Sequence, residues 1–111
     1  MSEEKIRLVA EKFAEEAGRI YGDKLHAVIL YGSCARGDYQ DDSDIDLLLL
    51  MNVSREQLSE ERRKIFSMAD RLDLEYEVVL APVLQSYDVY ENYLSVSAFY
   101  QNVQREGVKI A

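Results

Sequence analysis

The sequence predicts a single α/β (α+β) domain in which helices cover one small mixed sheet. Three observations carry that expectation. Apolar residues recur at helical spacing in separate stretches, and short apolar runs bounded by turn residues alternate with them. The chain has 111 residues, 48% of them hydrophobic, enough for one modest core. The expected order is helix, strand, loop, strand, helix, strand, helix, in one domain over residues 1–111 with no linker, repeat or low-complexity segment.

Each element has a local reason. Ser2 caps a helix whose inner positions are Ile6, Val9, Ala10, Phe13, Ala17 and Ile20; Glu3 and Glu4 favour its dipole and Gly22 is placed to stop it. Leu25 to Tyr31 (LHAVILY) reads as a strand, and Gly32 to Ser43 as a turn-rich loop. Asp44 to Leu50 (DIDLLLL) reads as a second strand. Ser54-x-x-Gln57 is a capping-box pattern opening a helix with Leu58, Ile65, Met68, Ala69 and Leu72 on its inner side. Glu75 to Ala81 (EYEVVLA) reads as the third strand, ended by Pro82. A last helix carries Val96, Phe99, Tyr100 and Val103, with Gly107 as its stop; Gln85 to Ser95 is tyrosine-rich and fits either state.

Composition narrows the function. A net charge of −8 excludes non-specific nucleic-acid binding, which needs Lys and Arg to neutralise phosphates, but leaves a metal-bridged nucleotide open. The single cysteine, Cys34, forms no internal disulfide and no thiolate zinc site by itself. The N-terminus is acidic and amphipathic rather than basic then apolar, and the longest apolar run is too short to span a bilayer. The expectation is a cytoplasmic protein without a membrane role or direct DNA binding.

The chemistry sits in Gly32-Ser33, then ten residues, then Asp44-Ile45-Asp46. Alternation along a strand puts Asp44 and Asp46 on one face and turns Ile45 into the core. Adjacent carboxylates repel, and Mg²⁺ with a phosphate resolves the conflict. The turn at Gly32 and Ser33 supplies N–H groups and a hydroxyl for that phosphate. Glu77, in the expected third strand, is the candidate third carboxylate, with Glu75 on the same face as the alternative. Asp41 and Asp42 read as solvated charges and His26 as an exposed strand-start residue. Tyr87, Tyr90, Tyr93 and Tyr100 read as packing and partner surface.

Tyr31-Gly32-Ser33-Cys34-Ala35-Arg36-Gly37-Asp38, followed by Asp42-Ser43-Asp44-Ile45-Asp46-Leu47, resembles the minimal nucleotidyltransferases of the DNA polymerase β superfamily. The resemblance runs over nearly the whole chain, to an Arg105-Glu106-Gly107 ending. It implies the polymerase β-like palm fold, Gly32 and Ser33 on the β- and γ-phosphates of ATP, and Arg36 as a phosphate or structural contact. It also implies two Mg²⁺ ions on Asp44, Asp46 and Glu77, although small members more often carry Asp at the third position. The small members resemble antitoxins paired with a helical HEPN ribonuclease toxin. The implied activity is therefore transfer of AMP from ATP to a tyrosine of that toxin, within a hetero-oligomer. Two other expectations stand beside it: a catalytically idle antitoxin whose acidic surface occludes the toxin, and transfer to a small molecule, as in aminoglycoside-modifying relatives.

Overall fold

The computed structural model describes residues 1–111. Helix α1 (Glu3–Tyr21) begins where the Ser2 hydroxyl accepts the Lys5 N–H at 3.0 Å, and it ends at Gly22, whose φ of 55° suits glycine. A short 3₁₀ turn leads into β1 (Leu25–Tyr31). The helical turn α2 (Ser33–Arg36) and an acidic loop then precede β2 (Ile45–Met51). At Ser54 the capping box forms, its N–H donating to Gln57 Oε1 at 2.9 Å, before α3 (Leu58–Tyr76). The chain continues through β3 (Leu80–Ser86), α4 (Tyr87–Tyr93), α5 (Ala98–Glu106) and β4 (Val108–Lys109).

The four strands lie in the order β3-β2-β1-β4. The β1–β2 and β1–β4 pairs are antiparallel, and β2–β3 is parallel because α3 crosses over between those strands. One face of the sheet, with Val28, Leu30, Ile45, Leu47, Leu49 and Met51, packs against α1 and α3. The other face carries Ala27, Leu48 and Leu50 under Tyr90 and Val103 from α4 and α5. Rings continue this second layer, from His26 stacked on Tyr87 (centroids 3.6 Å apart) to Phe99 edge-on to Tyr31 (5.4 Å). Of the four tyrosines read as packing or partner surface, Tyr90 is buried and Tyr93 is 54% exposed.

The third strand differs from the sequence expectation. It starts at Leu80 rather than Glu75, because the apolar stripe of α3 through Leu72 carries that helix on to Tyr76. Pro82 lies inside the strand instead of ending it. The Ile45 N–H donates to the Val79 carbonyl at 2.8 Å, so in a parallel pair residues 79, 81, 83 and 85 bond to β2 while 80, 82, 84 and 86 turn outward. Proline is tolerated there because its missing N–H faces away from the ladder. The Leu80 N–H is taken by Asp73 Oδ1 and the Ser86 N–H by Gln85 Oε1, both at 2.8 Å.

Gly107 does follow the last helix, but its φ of −70° is ordinary. Glycine is needed there for space, since a Cβ would strike the Val103 carbonyl and Ile29 Cγ2. No helix is long and apolar enough to cross a membrane.

Candidate active site

Tyr31 ends β1 directly opposite Asp46 in β2, so the turn that follows β1 and the carboxylate meet on the second face of the sheet. Gly32 makes that turn with φ 74°, and its carbonyl accepts the N–H groups of Ala35 (3.1 Å) and Arg36 (3.0 Å). The preceding N–H groups of the turn have no carbonyl within it to bond. A Cβ on residue 32 would collide with Asp46 Oδ2, so glycine is required both by the backbone and by the neighbouring carboxylate. Gly37, in the left-handed region at φ 92°, closes the turn.

Asp46 is partly buried, and Asp44, just before β2, is exposed. Burial raises the Asp46 pKa above its ordinary value, the charge of Asp44 raises it further, and Arg36 opposes both. Burial raises Tyr31 too, with Asp46 adding to it. Cys34 is buried, its thiol donating to the Asp44 carbonyl at 3.4 Å; burial first and the Asp46 charge second hold the thiol protonated. It is a filler that anchors the loop to the turn.

Arg36 is exposed and held on two sides, by Asp38 Oδ2 and by Glu106 Oε2 of α5, each at 3.2 Å. A cavity of about 220 Å³ opens there between Tyr31, Gly32, Arg36, Phe99, Asn102 and Glu106. Glu106 and Phe99 are site neighbours that sequence reasoning did not assign. The Arg105-Glu106-Gly107 ending was the available signal for the first.

The structure thus brings Gly32, Ser33, Arg36, Asp44 and Asp46 together and leaves Glu77 out. Glu77 is not on a strand. It is the exposed C-terminal cap of α3, at φ 55° and ψ 51°, and lines a different cavity with Met1, Lys5, Asp41 and Asp42. Glu75 is exposed on α3, 3.9 Å from Arg71. The β3 residue in register with Asp46 is Ala81, and the next on that face is Val83. No group of three His, Cys, Asp or Glu side chains is placed to hold a metal ion. Two coupled carboxylates, one of them desolvated, still fit Mg²⁺, which commonly takes one or two protein carboxylates with phosphate and water completing the shell.

A family model described as nucleotidyltransferase domain matches residues 10–106. A Methanocaldococcus jannaschii protein that carries the name protein adenylyltransferase is 34% identical over 102 residues, covering 92% of this chain and 95% of its own. A second from that organism, similarly named, is 31% identical over 107 residues, covering 96% of each. A solved structure described as a minimal nucleotidyltransferase superposes with a TM-score of 0.62 at 24% identity, over 97% of this chain and 95% of that one. A crystal structure of a toxin-antitoxin with AMP-PNP contains a chain that superposes at 0.58 and 19% identity, over 91% of this chain and 72% of that one. At these identities the two solved structures establish a shared fold.

Proposed function

The chain belongs to the nucleotidyltransferase domain family, and from that premise we propose that it transfers AMP from ATP to a tyrosine hydroxyl of a HEPN-type toxin, as that toxin's antitoxin. The observation that carries the reading is the Gly32–Asp46 juxtaposition, a turn with open N–H groups set against a partly buried carboxylate. The names of the M. jannaschii relatives support adenylyl transfer to protein. The toxin-antitoxin neighbour with AMP-PNP supports ATP as donor and a toxin as partner in a hetero-oligomer.

In this reading the Ser33 hydroxyl and the open N–H groups of the turn would hold the β- and γ-phosphates, and Asp44 with Asp46 would hold Mg²⁺. Bound there, the ion neutralises charge on the phosphates and polarises the reacting one. Arg36, steered by Asp38 and Glu106, faces the same phosphates as a fixed positive charge. The donor set accounts for one ion shared with ATP. The second ion implied by the family resemblance has no third protein carboxylate, because Glu77 lies elsewhere.

Intact-mass analysis of the toxin after incubation with this protein, ATP and Mg²⁺ tests the proposal. Mass gains in AMP units that vanish with Asp44→Asn plus Asp46→Asn support it, and a toxin modified equally by the double variant sinks it. A second reading, neutralisation by binding alone, is favoured by one observation: β3 presents Ala81 and Val83 where a third acid was expected. It predicts that the double variant still blocks the toxin.

A further inference from the structure

We propose that the outward face of α3 pairs with the same face of a second copy of this chain, antiparallel, about a two-fold axis at Asp70. The inference does not depend on the AMP-transfer reading.

α3 packs on the sheet through Leu58, Ile65, Met68, Ala69 and Leu72. Arg71 and Glu75 lie on its flank towards α1, where Arg71 pairs with Glu16. At 3.6 residues per turn, Arg63, Phe66, Asp70, Leu74 and Glu77 fall within an arc of roughly 80° on the side away from the sheet. All five are exposed, Leu74 at 85% and Phe66 at 43%. Glu77 takes the cap position directly after the last turn. Arg63, Asp70 and Glu77 enter no ion pair within the chain, so their charges are free for a partner.

An exposed leucine or phenylalanine alone is ordinary on a protein surface. The order of this stripe is what points to a partner. Its spacings run three, four, four, three, so they read the same in both directions from Asp70. A two-fold axis there sets Phe66 of each copy against Leu74 of the other, and Arg63 against Glu77. Apolar meets apolar and cation meets anion, each twice. A parallel pairing would set Arg63 against Arg63 and Glu77 against Glu77, so the charges also fix the direction. Only Asp70 meets its own kind, and that contact holds the affinity down.

The stripe is about 21 Å long at 1.5 Å per residue. One helix pair of that length buries less than the roughly 800 Å² per partner of a standard interface, so the dimer is a reversible one. The other route to self-association, the β3 border, is closed by Pro82 and by the engaged N–H groups of Leu80 and Ser86. Gly32 and Asp46 meet on the opposite face of the sheet from α3, so pairing leaves the candidate site open on both copies.

Sedimentation equilibrium of the full chain, from about 5 µM to about 1 mM in low salt, tests the proposal. We expect a monomer–dimer equilibrium with Kd on the order of 100 µM. Leu74→Glu should weaken it at least about tenfold. Asp70→Asn should tighten it at least about threefold, a gain that misfolding cannot produce. Arg63→Glu should weaken it about tenfold, and adding Glu77→Arg should restore it to within about threefold of wild type. Circular-dichroism melting confirms that each variant is folded. A chain that stays monomeric throughout overturns the proposal, and association undiminished by Leu74→Glu assigns it to another face and overturns it too. Asp70→Asn without a gain overturns the axis, and a charge exchange that does not rescue overturns the antiparallel register.

Discussion

The Asp46 carboxylate occupies the space in which any residue other than glycine at position 32 would place its Cβ. The two positions are fourteen residues apart in the chain, yet each sets the other: the missing side chain admits the acid, and the acid excludes a side chain. The turn proposed to hold phosphate and the carboxylate proposed to hold metal are thereby kept in contact without any hydrogen bond between them.

Gly32→Ala should therefore damage stability and chemistry together. The new methyl group meets Asp46 Oδ2 on a backbone with φ 74°, an arrangement L residues resist. We expect a loss of about 1–3 kcal/mol in urea denaturation and AMP transfer reduced at least about a hundredfold. A variant with wild-type stability and activity would refute the proposed tightness.

Asp46→Asn should separate stability from activity. Burial and the Asp44 charge raise the folded-state pKa of Asp46, so the folded chain holds this proton more tightly than the unfolded chain does. That contribution is fully present below the ordinary carboxylate range and is lost as pH rises through the raised folded value. In metal-free buffer at neutral pH the asparagine variant should melt a few degrees above wild type, and this gain should disappear at acid pH. Scanning calorimetry at the two pH values, beside AMP-transfer assays in which the variant is inactive, checks both halves.

Glu77 offers the opposite case, a residue whose backbone matters more than its carboxylate. At φ 55° it occupies a cap position that glycine fills without strain. Glu77→Gly should stabilise the chain by about 0.5–1 kcal/mol in urea denaturation, and Glu77→Gln should leave the rate of AMP transfer within about twofold of wild type. A large rate loss in the glutamine variant would return Glu77 to the site.

Arg36 should matter for ATP rather than for folding. Its pairs with Asp38 and Glu106 lie at the surface, where solvent screens such contacts and they add little to stability. Arg36→Ala should keep nearly the same melting temperature while raising KM for ATP about tenfold. An unchanged KM would make Arg36 a loop anchor only.

Much of this was legible in the sequence, for identifiable reasons. The bounds of β1 agree because turn signals flank an apolar run on both sides, and Ser2, Gly22 and the Ser54–Gln57 box act locally as read. The Gly-Ser and Asp-x-Asp segments fall together because one antiparallel register, Tyr31 opposite Asp46, is enough to join them. The third strand was misplaced because Pro82 reads as a breaker until the strand is known to be an edge whose odd residues alone face β2. Once the strand shifts, Glu77 leaves it, and no local signal marks a glutamate that will cap a helix in the left-handed region. Two-residue β4 is held by tertiary pairing with β1 and has no pattern long enough to read.

The outer side of β3 has a consequence for how the protein endures crowding in concentrated solution. A seven-residue apolar strand at a sheet border is ordinarily a template for runaway stacking of like chains. Here an incoming strand would find carbonyls but, with Pro82 lacking an N–H and those of Leu80 and Ser86 already engaged, only Leu84 left to donate. Fibril growth needs a repeating ladder, and a single rung does not propagate one. The border of the sheet therefore stays inert towards further copies of the chain.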